Sequence, residues 1–278
     1  MKKLTAKISI YLFLALFGLI IIYPLLFLMS ASLKSNEEIF TSLSLIPSKF
    51  DWSSYIDGWV GVGQYTFGHF IKNSFQLVIP TVLFTIISSA VTAYGFARFK
   101  FKFKNVLFIC MISTLMLPNT IIIIPRYILF KNLHWLDSYL PFIIPAMFAC
   151  YPFFTYMLVQ FFRGIPRELD ESAVIDGCNS FGIFIKIIMP LSVPALLSVA
   201  IFQFMWTWDD FFNALVYINS VSKYTVAQGL RMSLDAESVV NWNRIMAMSF
   251  VCILPSILLF FFAQKYFVEG IATAGIKG

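Results

Sequence analysis

Residues that could do chemistry are scarce in this 278-residue chain, and they gather in two places. One is an acidic run, Glu168, Asp170, Glu171 and Asp176. The other is Trp206, Trp208, Asp209, Asp210 and Asn213, where aromatic rings alternate with hydrogen-bonding groups. Outside them, His69 and His134 have no partner at metal-ligand spacing. The four cysteines (Cys110, Cys150, Cys178, Cys252) form no CxxC pair and read as free thiols packed like small hydrophobes. No nucleophile stands beside a base, and no G-x-x-x-x-G-K-[ST] loop offers to cradle a nucleotide. The chain therefore reads as having no catalytic residues, no metal site and no ATP bound by a phosphate loop of its own.

The elements that must position these residues are apolar. The chain is 59% hydrophobic and 12% charged, with 32 phenylalanines and a mean hydropathy of +0.82. A soluble domain carries roughly 25% charge, so the expected class is an all-α polytopic membrane protein. Six runs approach the twenty residues needed to cross about 30 Å of hydrocarbon: 8–33, 74–96, 106–124, 140–162, 191–216 and 245–263. The first follows Lys2, Lys3 and Lys7 and outruns the 7–15 residues of a signal-peptide core, so it reads as a retained span. Residues 34–72, with Asn36, Glu37, Glu38, Trp52, Tyr55 and Trp59, read as an interfacial loop with short helices. The whole chain reads as one transmembrane domain, 1–278, with a tail from 264 to 278.

Six spans put both termini on one side. With that side inside, inner segments hold 12 Lys and Arg against 8 in longer outer links. Arg98, Lys100, Lys102 and Lys104 crowd one short loop, which the positive-inside rule assigns to the cytoplasm. The net charge of +6 does not indicate nucleic acid, because the basic residues flank apolar spans. The central portions of the spans carry no ionisable residue. Such a residue costs about 2.5–3.5 kcal/mol at mid-helix and usually serves ion or proton coupling, so an ion-driven carrier is disfavoured. A channel, or a transport subunit powered by another chain, remains.

The acidic run sits in the longest soluble-looking stretch, 164–190. Pro166 can open a helix, and Glu168, Asp170 and Glu171 complement its dipole. Gly177 can stop it in the left-handed conformation. Asn179 and Ser180 can cap a second helix with Phe181, Phe184, Ile185 and Ile188 on one face, ending at Pro190. From Arg163 to Asp176 the net charge is −2. The inner leaflet is anionic, so an acidic knob there suits a protein partner better than lipid.

Glu171-Ser172-Ala173, Gly177 and Ile187-Ile188-Met189-Pro190 resemble the cytoplasmic loop of ABC-importer permeases, with Ser172 and Met189 as mild departures. Ala31 to Glu38, Trp206 to Asn213 and the tail from Gln264 to Gly278 resemble the second permease subunit of maltose-type carbohydrate importers. The resemblance covers nearly the whole chain. It implies a type I permease core in a bacterial plasma or inner membrane, with a coupling helix that docks on a cytoplasmic ATPase. The coupling residues it implies are Glu168, Glu171, Ser172, Ala173, Asp176, Gly177 and Pro190. Glu269, Gly270 and Lys277 of the tail would approach the ATPase as well. Implied partners are a second homologous permease, an ATPase dimer holding ATP and Mg, an extracytoplasmic sugar-binding protein and membrane lipid. This chain itself would bind no cofactor.

Trp206, Trp208, Asp209, Asp210 and Asn213 are candidate sugar contacts, since rings and carboxylates suit sugar faces and hydroxyls. From Leu191 to Asp209 is about 27 Å of helix, however, which places the carboxylates near the outer surface, where solvated acids require no ligand. The other open reading is a passive channel or ion-coupled carrier with a protein-binding cytoplasmic loop. Neighbouring genes for an ATPase, a partner permease and a secreted binding protein discriminate the two.

Overall fold

The computed structural model describes residues 2–61, 63–235 and 240–275, with side chains over 7–61, 63–234 and 240–264. Among the described residues the secondary structure is helical, without strands. The chain folds as two compact units, one of Met1–Ile71 with Gln228–Pro255, the other of Lys72–Ala227 with Ser256–Gly278.

The first unit begins with α1 (Lys2–Ala31). Within Lys7–Ala31 an 18-residue window has a mean hydropathy of 2.7 and no buried residue. A helix that is apolar all round and uncovered belongs in lipid. Beyond it come two short helices, α2 (Asn36–Thr41) and α3 (Ser53–Val60), within the stretch expected to be a loop with short helices. The Ala31–Glu38 segment supplies the joints. Lys34 is fully buried and donates from Nζ to the carbonyls of Ser42 and Ser44 at 3.3 and 2.5 Å. Ser54 Oγ donates to Ser32 O, and Asn36 Oδ1 accepts from Trp242 N at 2.8 Å. Glu38 Oε1 accepts from the backbone and hydroxyl of Ser48, both at 2.8 Å. A polar stretch at a span end thus closes on itself, as buried backbone groups require.

Three helices run from one unit into the other: α4 (Phe67–Arg98), α14 (Val226–Asp235) and α15 (Trp242–Gly275). The second unit continues with α5 (Lys104–Thr114), α6 (Asn119–Asn132), α7 (Leu140–Met147) and α8 (Pro152–Gly164). Then come α9 (Glu168–Ile175), α10 (Ser180–Ile183), a π turn (Phe184–Ile188) and α11 (Met189–Leu191). The helices α12 (Val193–Trp208) and α13 (Phe211–Tyr217) follow. Among the described residues, four apolar segments are long enough to cross a membrane: Lys7–Ala31, Phe67–Arg98, Leu140–Gly164 and Trp242–Gln264. Two bent pairs raise the number to six.

Those pairs break the helix within the expected third and fifth spans. Residues 106–124 are not one helix: α5 and α6 meet at 103°. Leu115, Met116 and Leu117 close i→i−3 turns, and Pro118, without an N–H, holds an extended φ/ψ of −61°/141°. Residues 191–216 are broken as well. Ser180–Leu191 meets α12 at 75°, because Pro194 lacks a donor for the carbonyl of Pro190. The far end breaks at Asp209–Asp210, where Asp210 caps α13 by accepting from Asn213 N at 3.1 Å. A short acidic side chain that bonds nearby backbone competes with helix continuation.

Two apolar clusters lie among the described residues of the second unit. Ala90, Ala93 and Ala97 of α4 pack with Phe154, Leu158 and Phe162 of α8, and with Ala173, Ile183, Phe184 and Ile188. Alanines at this spacing let helices approach closely. The second cluster gathers Leu77, Ile123, Phe130, Phe142 and Tyr217. Beside it, Asp137 ties two links: Oδ1 accepts from Asn219 N and Ser220 N, and Oδ2 from Ser220 Oγ and Lys223 Nζ.

Candidate functional site

The 164–190 stretch is a helix–glycine–helix unit. Its first helix ends in a Schellman turn: Cys178 N donates to Ala173 O at 2.8 Å and Gly177 N to Val174 O at 3.0 Å. Gly177 has φ +83°, and a Cβ there would meet nothing within 4 Å, so the left-handed backbone, not space, demands glycine. Asn179 Oδ1 then accepts from Gly182 N at 2.7 Å as the second N-cap.

The inner face of the unit is fastened to α4. Arg98 Nε lies 2.9 Å from Asp170 Oδ2, with the side chains 6% and 20% exposed. Arg98 Nη2 donates to Ile165 O at 3.0 Å, and Tyr94 Oη donates to Ser180 O at 3.0 Å. Asp170 and Ala173, three apart, therefore point inward, and Ala173 is buried in the α4–α8 cluster. Glu168, Glu171, Ser172 and Asp176 lie exposed on the outer side, with Val174, Ile175 and Phe181 beside them. Ile175 is 86% exposed. Pro190 is exposed, but the bend comes two residues later, at Ser192.

The expected apolar face of the second helix needs correction. Ile183, Phe184 and Ile188 are buried, whereas Phe181 and Ile185 are largely exposed. The π turn adds a residue to the helical repeat and rotates the register that a 3.6 period would give.

The second cluster of chemistry-bearing residues opens onto a cavity of about 800 Å³. Trp206, Asp210 and Asn213 line it; Trp208 and Asp209 do not. Trp208 is buried against Phe204 and Phe75, with ring centroids 5.4 and 5.0 Å away. Asp209 is exposed at the end of α12. Asp209 thus faces solvent, whereas the break turns Asp210 toward the cavity. A polar chain runs along the wall. Asn213 Nδ2 donates to both Asp210 oxygens at 2.9 and 2.8 Å. Asn119 Nδ2 donates to Asn213 Oδ1 at 3.3 Å, and Arg126 Nη1 to Asn119 Oδ1 at 3.5 Å.

Asn119, Arg126 and Gln203 were not legible as wall residues in the sequence. Asn119 and Arg126 flank the expected end of the third span, and only the bend at Pro118 carries α6 to the cavity. The one available signal was the polar pair Gln203 and Thr207, four apart on an otherwise apolar run; Gln203 Nε2 donates to Thr207 Oγ1 at 2.7 Å. In the tail, Glu269 and Gly270 fall in α15 with side chains outside the described ones, and Lys277 lies outside the described residues.

Residues 89–273 match the binding-protein-dependent transport system inner membrane component family. The chain belongs to that family. The permease is also 32% identical over 275 residues to the arabinooligosaccharides transport system permease protein AraQ of Bacillus subtilis, covering 98% of this chain and 96% of AraQ. It is 31% identical over 298 residues to the polygalacturonan/rhamnogalacturonan transport system permease protein YtcP of the same organism, covering all of both chains. A chain in the crystal structure of a bacterial ABC transporter involved in the import of the acidic polysaccharide alginate superposes with a TM-score of 0.83. That match covers 96% of this chain and 98% of the other at 22% identity, a likeness of fold. The family is one of membrane transport components rather than enzymes, and the relatives AraQ and YtcP are named for oligosaccharide and polysaccharide transport.

Proposed function

We propose that the permease is one of two membrane subunits of an ATP-driven importer for an oligosaccharide, and that residues 164–190 receive the stroke of a cytoplasmic ATPase. The observation that carries this reading is the two-sided build of α9. Its inner side is pinned to α4 by Asp170 and Ala173. Its outer side offers exposed Glu168, Glu171 and Asp176 around bare Val174 and Ile175. An apolar patch rimmed by charge suits a protein partner, and a helix fastened to a long span moves as a rigid lever. The reading places this loop and both termini in the cytoplasm, on the basis of the Lys and Arg distribution. A second permease completes the path, a binding protein delivers the sugar from outside, and ATP with Mg stays in the ATPase.

Sugar import as cargo rests on the relatives named for oligosaccharide transport. The cavity of Trp206, Asp210 and Asn213 is the substrate path on this side. Glu171→Ala and Gly177→Pro are expected to lower both ATPase co-purification and uptake while leaving the permease inserted. Gly177→Pro loses the N–H that closes the turn and cannot adopt φ +83°. Normal co-purification and normal uptake in that variant would remove the coupling role from this loop.

A further inference from the structure

Among the described residues the cavity wall carries one cationic side chain, Arg126, and it has no ion-pair partner. Among the described residues no carboxylate comes within 4.0 Å of its guanidinium. Its near neighbours are neutral: Asn119 Oδ1, at 3.5 Å the limit of a hydrogen bond, and the Tyr217 hydroxyl. Asp210 feels its charge, but both Asp210 oxygens are occupied by Asn213. A guanidinium stays charged at any biological pH and presents its donors in a planar fork matched to a carboxylate. On the same wall, Gln203 is 1% exposed, and its Oε1 is buried without a hydrogen-bond partner. Trp206 and Phe153, with ring centroids 5.1 Å apart, add the flat apolar surface that the C–H face of a sugar ring covers. The volume is that of a small-molecule site.

We propose that this cavity selects oligosaccharides carrying a carboxylate, that is, uronic-acid units, and that Arg126 is the specificity determinant. The sugar carboxylate would take the guanidinium fork, and the Trp206–Phe153 surface would cover a ring face. The proposal rests on the carbohydrate-importer reading above, and its test separates the two.

Cys150 lines the same cavity and is exposed, so its alkylation reports occupancy. In the assembled importer, N-ethylmaleimide labelling of Cys150 is followed by mass spectrometry during titration with trigalacturonate, its methyl ester and maltotriose. Trigalacturonate is expected to protect Cys150 at roughly tenfold lower concentration than the ester, the scale of one charge-assisted pair. Arg126→Gln is expected to erase that preference, and Arg126→Lys, which keeps the charge without the fork, to retain part of it. Equal protection by acid and ester in the wild type, or an unchanged preference in Arg126→Gln, overturns acid selection while leaving the importer reading in place. No protection by any of the three sugars, together with no sugar uptake, overturns the importer reading itself.

Discussion

The ion pair between Arg98 and Asp170 is the fastening whose loss can be worked out most directly. Asp170→Asn leaves a guanidinium 6% exposed and without its counterion. Removing one partner of a buried pair costs about 3–5 kcal/mol. The lower end applies here, for three structural reasons. Asp170 keeps 20% exposure, the Arg98 N–H is not aimed along the contact, and Arg98 retains its bond to Ile165 O. Because α9 has only 8 residues and is marginal without packing, the cost should appear as local opening rather than global unfolding. About 3 kcal/mol corresponds to roughly a hundredfold rise in the open population at 1.4 kcal/mol per decade.

Hydrogen exchange by mass spectrometry on the peptide spanning 165–178 reads that population. Asp170→Asn should speed exchange there by about two decades and lower ATPase stimulation. Glu171→Gln, on the exposed side, should leave exchange unchanged while weakening ATPase co-purification. The double replacement Arg98→Met with Asp170→Leu should restore much of the protection, since an apolar pair can replace a buried ionic one. Unchanged exchange in Asp170→Asn would refute the fastening, and faster exchange in Glu171→Gln would refute the division of the helix into two sides.

Burial alone would raise the Asp137 carboxyl, but the hydrogen bonds from Ser220, Lys223 and Asn219 outweigh it and hold the group far below the usual carboxylate range. A lowered folded pKa contributes stability that is present above the ordinary value of about 4 and is lost as pH falls below it. Asp137→Asn should therefore cost roughly 2 kcal/mol at pH 7, with a gap in Tm to the wild type that narrows in acid; a gap constant from pH 7 to pH 3 contradicts this. Lys34→Met strips the donor from the carbonyls of Ser42 and Ser44 and should cost roughly 1–3 kcal/mol in a thermal melt. A Cβ on Gly229 would press into the ring of Phe70, and Phe70 is fully buried with little room to yield. Gly229→Ala should accordingly cost roughly 1–3 kcal/mol in the same melt.

The membrane class, the approximate number of apolar spans and the helix–glycine–helix unit at 164–190 were determined by composition and local pattern. Gly177 and Asn179 act within four residues of themselves, so their roles follow from local chemistry. Which side of α9 faces inward was not so determined. Asp170 and Glu171 are adjacent carboxylates in the same turn, and only the position of Arg98, more than seventy residues away, makes one an anchor and leaves the other exposed. The cavity wall depended on tertiary structure more heavily still. A periodic pattern assumes a straight helix, while breaks of 103° and 75° and a π turn reset the direction of every side chain beyond them. Arg126, Asn119 and Asp210 therefore converge through bends whose angles depend on how the flanking helices pack. Sequence could mark the prolines and aspartates where the chain breaks, but not the direction it takes afterwards.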